Sequence, residues 1–221
     1  MLTQFDENNI NILNGEAMYQ YLSQHGVGLQ NCASFNEAMC VGKHISDIFS
    51  EEYVRVRCNA LNTDIGNYTE KLLSPLQKVL KKDNGTLVLW FDHDMFCQIN
   101  LLVLLAYLEQ IDYKRPIILN QVDHFNKFIA SHSIRLNNYK QLFCNVLIEY
   151  KQSQNIGPAL LSNGIELYLE YIKGDNEIIR FIQSNRELGE NVILEKLLTN
   201  FSNYGLGDTQ YLQMIKKQIL S

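Results

Sequence analysis

The segment TLVLWFDHDMFCQINLLVLLAYLEQ, from Thr86 to Gln110, restricts the fold of this chain more than any other stretch. Leu87 to Phe91 is apolar at every position. Without the alternation of a half-exposed strand, it predicts a strand covered on both faces, in the middle of a parallel sheet. Asp92-His93-Asp94 follows, and then Leu101, Leu102, Val103, Leu104, Leu105, Ala106 and Leu108 make a helix apolar around its circumference. Such a helix is expected to be buried on several sides.

The flanking segments repeat the strand, turn and helix order. Asn9 to Leu13 (NINIL) reads as a strand running into Asn14-Gly15-Glu16, and Met18, Tyr19, Leu22 and Val27 then recur at helical spacing. A weaker strand spans Asn31 to Phe35 and ends at Asn36-Glu37. Ser50 precedes two acids and an apolar period, which predicts a helix with Ser50 as its cap. Thr69 to Lys82 reads as another helix, closed by Asp83-Asn84-Gly85. Pro116 cannot donate to a ladder and therefore belongs at the start of the strand Ile117 to Leu119, after which come Asn120, Gln121, Asp123 and His124.

After Phe125 the strand signals stop. Ser131-His132-Ser133 reads as a loop entering the next helix, and helices are expected over Leu136 to Tyr150, Pro158 to Lys173, Asn176 to Gln183, Asn191 to Phe201 and Asp208 to Leu220. The breaks are Asn155-Ile156-Gly157, Lys173-Gly174-Asp175, Leu188-Gly189-Glu190 and Tyr204-Gly205-Leu206-Gly207, with Pro158 placed as a first-turn proline. The fold expected is α/β: a Rossmann-like, three-layer domain with a mostly parallel sheet over residues 1–130, and an all-helical C-terminal region over residues 131–221 packed on it.

Composition excludes several classes of function. The 221 residues carry a net charge of -5 and no basic block, which disfavours nucleic acid as a partner, since phosphate binding draws on clustered Lys and Arg. The longest apolar run, Ile99 to Leu108, is interrupted by Asn100 and is too short to span a membrane. The opening MLTQFDENNINIL lacks the basic start and apolar stretch of a signal peptide. Cys32, Cys40, Cys58, Cys97 and Cys144 form an odd set without a CxxC pair, which predicts reduced thiols in a soluble cytoplasmic protein.

The segments INILNGEAM, FNEAMCVGK, IFSEEYVRVR and above all LVLWFDHDMFCQINLLVLLAYL resemble the domain-of-unknown-function 1835 family of bacterial proteins. The resemblance spans about residues 9–125, with Leu89 to Leu102 its most specific piece, and extends loosely into the helical region at LFCNVLIEYKQ and GLGDTQYLQMI. It implies an acid after the first Asn-Gly, here Glu16, and often an Asp where this chain has Cys97. It also draws attention to Gln98, one helical turn after Asp94. No activity comes with it.

Asn14-Gly15-Glu16, Asn36-Glu37, Asp92-His93-Asp94 and Asn120 to His124 all fall just past the carboxyl ends of strands, the edge where open α/β sheets bind ligands. Asn14, Gly15, Glu16, Glu37, Arg55, Asp92, Asp94 and Gln98 are therefore the candidate ligand-binding residues. Glu16, Asp92 and Asp94 are the candidate catalytic groups, and Arg55 and Arg57 are expected to neutralise a phosphate. An acidic edge would also suit a divalent metal such as magnesium, held by carboxylate oxygens or working beside a general acid and base.

Each residue has a plainer reading. Asp92 and Asp94 suit a helix start, as cap and as partner of the helix dipole. Asn14-Gly15 is a turn without the three-glycine dinucleotide fingerprint. His93 reads as an exposed histidine, Cys97 as a core residue sharing a face with Leu101 and Leu104, and Trp90, Tyr139, Phe143, Tyr150, Tyr168 and Tyr171 as core aromatics. Gln98 either holds the strand-end loops or touches a ligand. The leading reading is a small-molecule or nucleotide/phosphate-binding domain, with enzymatic activity an open question. The alternative is a non-enzymatic protein-interaction or regulatory module, with a homo-oligomer among its forms, and a regulator near DNA ranks last.

Overall fold

The computed structural model describes residues 2–82, 85–151 and 159–219. Five strands, β1 (Ile10–Leu13), β2 (Cys32–Ser34), β3 (Leu87–Phe91), β4 (Ile117–Val122) and β5 (Phe128–Ile134), form one sheet in the order β2-β1-β3-β4-β5. The first four are parallel, β5 is antiparallel to β4, and helices make up over half of the chain.

β3 lies in the middle, paired with β1 and β4, and all of its residues are buried. Its side chains serve two apolar clusters on opposite faces. Leu87, Leu89 and Phe91 join Ile10, Ile12, Ile117 and Leu119 on one face, while Val88 and Trp90 join Leu13 and Val122 on the other. Trp90 keeps its polar end satisfied by donating from Nε1 to Asn11 Oδ1 at 2.9 Å.

Helix α1 (Gly15–Gln24) covers the Trp90 face through Met18 and Leu22. The other face is covered by α2 (Glu51–Leu61), by a continuous helical stretch and by α5 (Met95–Gln110). That stretch comprises α3 (Ile65–Tyr68), a π-helical turn (Thr69–Leu73) and α4 (Ser74–Leu80), so it starts before the expected Thr69. Ser50 caps α2 as expected, accepting from the Tyr53 N–H at 3.1 Å. Every residue of α5 from Met95 to Leu108 is buried except Phe96 and Tyr107. The sheet lies on one side of it, and α6 (Tyr139–Phe143) and α7 (Ala159–Tyr171) on the other.

A π-helical turn (Cys144–Ile148) extends α6, and α8 (Glu177–Ser184), α9 (Glu190–Asn200), a 3-10 turn (Ser202–Tyr204) and α10 (Asp208–Ile219) complete the chain. Asp83-Asn84, Asn155-Ile156-Gly157, Pro158 and Leu220 lie outside the described residues.

The strand signals do not end at Phe125. β4 continues through Asn120 and Gln121 to Val122, and a turn returns the chain as β5, so Ser131-His132-Ser133 is strand and the boundary expected near residue 130 falls inside β5. Asp123 builds the turn: its carboxylate accepts from the N–H groups of Phe125 and Lys127, and Asn126 adopts a positive φ. β5 hides from sequence inspection because it is an edge strand. Its FIASHSI leaves Ile129 and the three central polar residues exposed, so no buried apolar run marks it.

Candidate functional site

The chain leaves β1 through α1 towards β2, whereas β3 lies on the other side of β1 and leaves through α5 on the opposite face. The carboxyl ends of β1 and β3 therefore border the point where the connections diverge, and two helix N-termini meet there. Asn14 is the N-cap of α1 and Asp94 the N-cap of α5.

Asp94 accepts from the Cys97 N–H at 2.7 Å through Oδ1 and from the Cys97 thiol at 3.1 Å through Oδ2. Gly205, with φ +65°, packs directly over this carboxyl, so that a Cβ on it would lie 2.2 Å from Asp94 Oδ1. Burial under that cover pushes the Asp94 carboxyl up to about 6; the Cys97 hydrogen bonds oppose the rise, and Asp92 adds to it. Cys97 receives a hydrogen bond from Asn14 Nδ2, and burial followed by the Asp94 charge raises its thiol well above the ordinary range. A thiol so held is no nucleophile at neutral pH. Asn14 Oδ1, in contrast, is buried and has no hydrogen-bond partner among the described residues. A carboxyl that takes up or releases a proton near neutrality thus stands beside an amide oxygen lacking a donor.

Glu37 does not belong to this corner. Arg57 reaches it from α2, donating from Nη2 at 2.5 Å and Nε at 3.1 Å to Oε1, and Tyr68 donates to Oε2 at 2.5 Å. The side chains of Arg57 and Glu37 are 0% and 2% exposed. The remaining guanidinium donors go to the carbonyls of Ala38, Val41 and Lys43. Asn100, from α5, accepts from the Met39 N–H and donates to the Glu37 carbonyl, and His44 bridges the Tyr53 hydroxyl and the Met39 carbonyl. Burial, and then the Arg57 charge, push His44 down to about 3, so it stays a neutral linker. This knot fixes the loop between β2 and α2. It uses up Arg57, one of the two cations expected to meet a phosphate.

The other cation, Arg55, is exposed and pairs with Glu51 one turn earlier. Gln98 also lies apart: its Oε1 accepts from the Gly164 N–H at 2.7 Å, and a Cβ at Gly164 would fall 2.4 Å from that oxygen. It pins α5 to α7, a role neither of its expected readings included. Glu16 is exposed and accepts from Ser34 Oγ at 3.4 Å. With Ser34, Asn36, Glu70 and Lys71 it borders a separate cleft of about 440 Å³ beside β2. Gly15 opens α1 with φ +80°. Asp92 accepts from the His93 N–H at 2.6 Å and pairs with the exposed His93 ring at 2.7 Å.

Of the eight candidate ligand-binding residues, the β1/β3 corner thus gathers Asn14 and Asp94, with Gly15 and Asp92 next to them in the chain; Glu16, Glu37, Arg55 and Gln98 have other engagements. Cys97, read as core, proves to link Asn14 to Asp94. Asn100 is the buried polar residue that broke the apolar run of α5, and that break was the available signal for the loop knot. Among the described residues no three His, Cys, Asp or Glu side chains are grouped so as to hold a metal ion. None of the described helices is long and apolar enough to cross a membrane. In comparisons with known proteins, no family model, curated sequence or solved structure matches this chain.

Proposed function

We propose that this chain is a small-molecule-binding protein of Rossmann-like design, whose ligand contacts the carboxyl edge of the sheet between β1 and β3. The observation that carries the reading is Asn14 Oδ1, a buried acceptor without a donor among the described residues, at the divergence point where open α/β sheets receive ligands. A ligand hydroxyl or amino group would supply that donor, and Asp94 would hold or take a proton from it. Neither expected arginine serves this corner, so the ligand group entering it is a neutral or cationic hydrogen-bond donor rather than a phosphate. A place in the domain-of-unknown-function 1835 family, read from Leu89 to Leu102 above all, is compatible with this reading and adds no chemistry to it.

The interaction-module reading has one observation in its favour. Phe125, at the β4–β5 turn, is 75% exposed, and Ile129 on the edge strand is 51% exposed.

A thermal-shift screen of nucleosides, polyols, amino compounds, sugar phosphates and divalent metals tests the site. A ligand at 100 times its Kd stabilises by about 2.7 kcal/mol. The expected result is a hydroxyl- or amino-bearing compound whose shift disappears in Asn14→Ala. Its persistence in that variant, or the absence of any shift, would remove the site.

A further inference from the structure

A cavity of about 780 Å³ lies between the β2–α2 loop and helices α7, α8 and α10. Its volume is that of a small-molecule site. Tyr150, Tyr168, Tyr171, Ile172, Ile179 and Met214 give it an aromatic and aliphatic wall. Charge on its lining is of one sign. Lys43, Lys173 and Lys217 line it and no Asp or Glu is among the described lining residues, although the chain holds 24 acids and carries -5 overall.

Two further features mark a built site. Tyr168 is 1% exposed, so the ring it adds to the cavity wall is held rigidly by the core behind it. The opposite wall is held in place by the buried knot, because Arg57 donates to the carbonyls of Val41 and Lys43, two residues of that wall. Burying an arginine–glutamate pair carries a desolvation cost that apolar packing would avoid. Here its effect is to fix the shape of the loop. Lys173 is paired with Glu170, whereas Lys43 and Lys217 are exposed and make no ion pair among the described residues.

We propose that this cavity binds a small organic anion with an aromatic body, the ring among Tyr150, Tyr168 and Tyr171 and the anionic group towards Lys43 and Lys217. Aromatic faces and lysine ammonium groups together recognise that class. The site is separate from the β1/β3 corner in residues, and it gives a phosphate or carboxylate the cations that neither Arg55 nor Arg57 brings to the corner.

The test is a fluorescence titration of the full chain with 1-anilinonaphthalene-8-sulfonate, an aromatic sulfonate, and with its uncharged analogue N-phenyl-1-naphthylamine. The sulfonate is expected to saturate one site. The double variant Lys43→Gln/Lys217→Gln should weaken it about tenfold, the scale of two rim charges, and leave the uncharged analogue unchanged. Met214→Trp, which narrows the cavity, should weaken both. Asp94→Asn should alter neither, which keeps this outcome separate from that of the corner. Absent or non-saturable sulfonate binding, or equal affinity in wild type and the lysine variant, would overturn the proposal.

Discussion

Glu37 and Asp94 both follow strands of the same sheet at its carboxyl edge, and their surroundings differ above all in the buried guanidinium that only Glu37 has hydrogen-bonded to it. Glu37 is enclosed by the Arg57 guanidinium and the Tyr68 hydroxyl, with Asn100 holding its backbone carbonyl. Asp94 is covered by Gly205 and has a backbone N–H and a thiol as donors, with the unpartnered Asn14 oxygen close by across Cys97. Two acids of similar position in the sequence pattern thus divide into a structural group and a group with a displaced proton affinity. An acidic residue after a strand is evidence of a site only once its partners are known.

The largest effect should come from breaking the satisfied member. Arg57→Met leaves Glu37 buried without its cation and should cost about 3–5 kcal/mol in urea denaturation. Adding Glu37→Gln should restore part of it, because the stranded charge is then gone. A loss well under 1 kcal/mol for the single variant would show that the knot does not hold the loop.

At Asp94 the sign reverses. Its carboxyl titrates at about 6 in the folded chain against 3.8 for the ordinary group, so the folded state binds the proton more tightly. Its contribution is fully favourable below pH 4 or so and is lost as pH rises through about 6. Asp94→Asn keeps a good helix cap and removes the charge. The variant should match the wild type near pH 4 and exceed it at pH 8 by on the order of 2 kcal/mol, as read from parallel urea curves. Equal stabilities at both pH values would remove the contrast with Glu37.

Glu16 should show the smallest effect, since it is exposed and its contact with Ser34 Oγ is long. Glu16→Gln should change stability by no more than about 0.5 kcal/mol at any pH. A larger, pH-dependent change would bring Glu16 back into a shared acidic site with Asp94.

The sequence made the central strand, the buried helix and the helix caps legible, because each depends on local pattern: an unbroken apolar run for β3, an all-round apolar surface for α5, a serine or aspartate ahead of a helical period for α2 and α5. β5 was not legible, since an edge strand exposed on one side needs no apolar run. At the site, the positions of Asn14 and Asp94 past strand ends could be read from the strands alone. The division of labour among the acids could not. Arg55 and Arg57 stand two residues apart on one helix, and only the packing of α2 determines that one is buried against Glu37 and the other points to solvent. The tyrosines of the helical half were read as core from their spacing, and Tyr168 is buried, yet Tyr150, Tyr168 and Tyr171 together border a cavity that only the tertiary arrangement creates.

The contrast between the two acids rests on the proton affinity of one carboxyl, and a ¹³C NMR titration of the Asp94 side chain, assigned by comparison with Asp94→Asn, measures it directly. The account predicts a midpoint at about 6, raised by burial under Gly205, which outweighs the opposing Cys97 hydrogen bonds and the His93 charge. A midpoint near the ordinary 3.8 would contradict it, because Asp94 would then be no more than a helix cap.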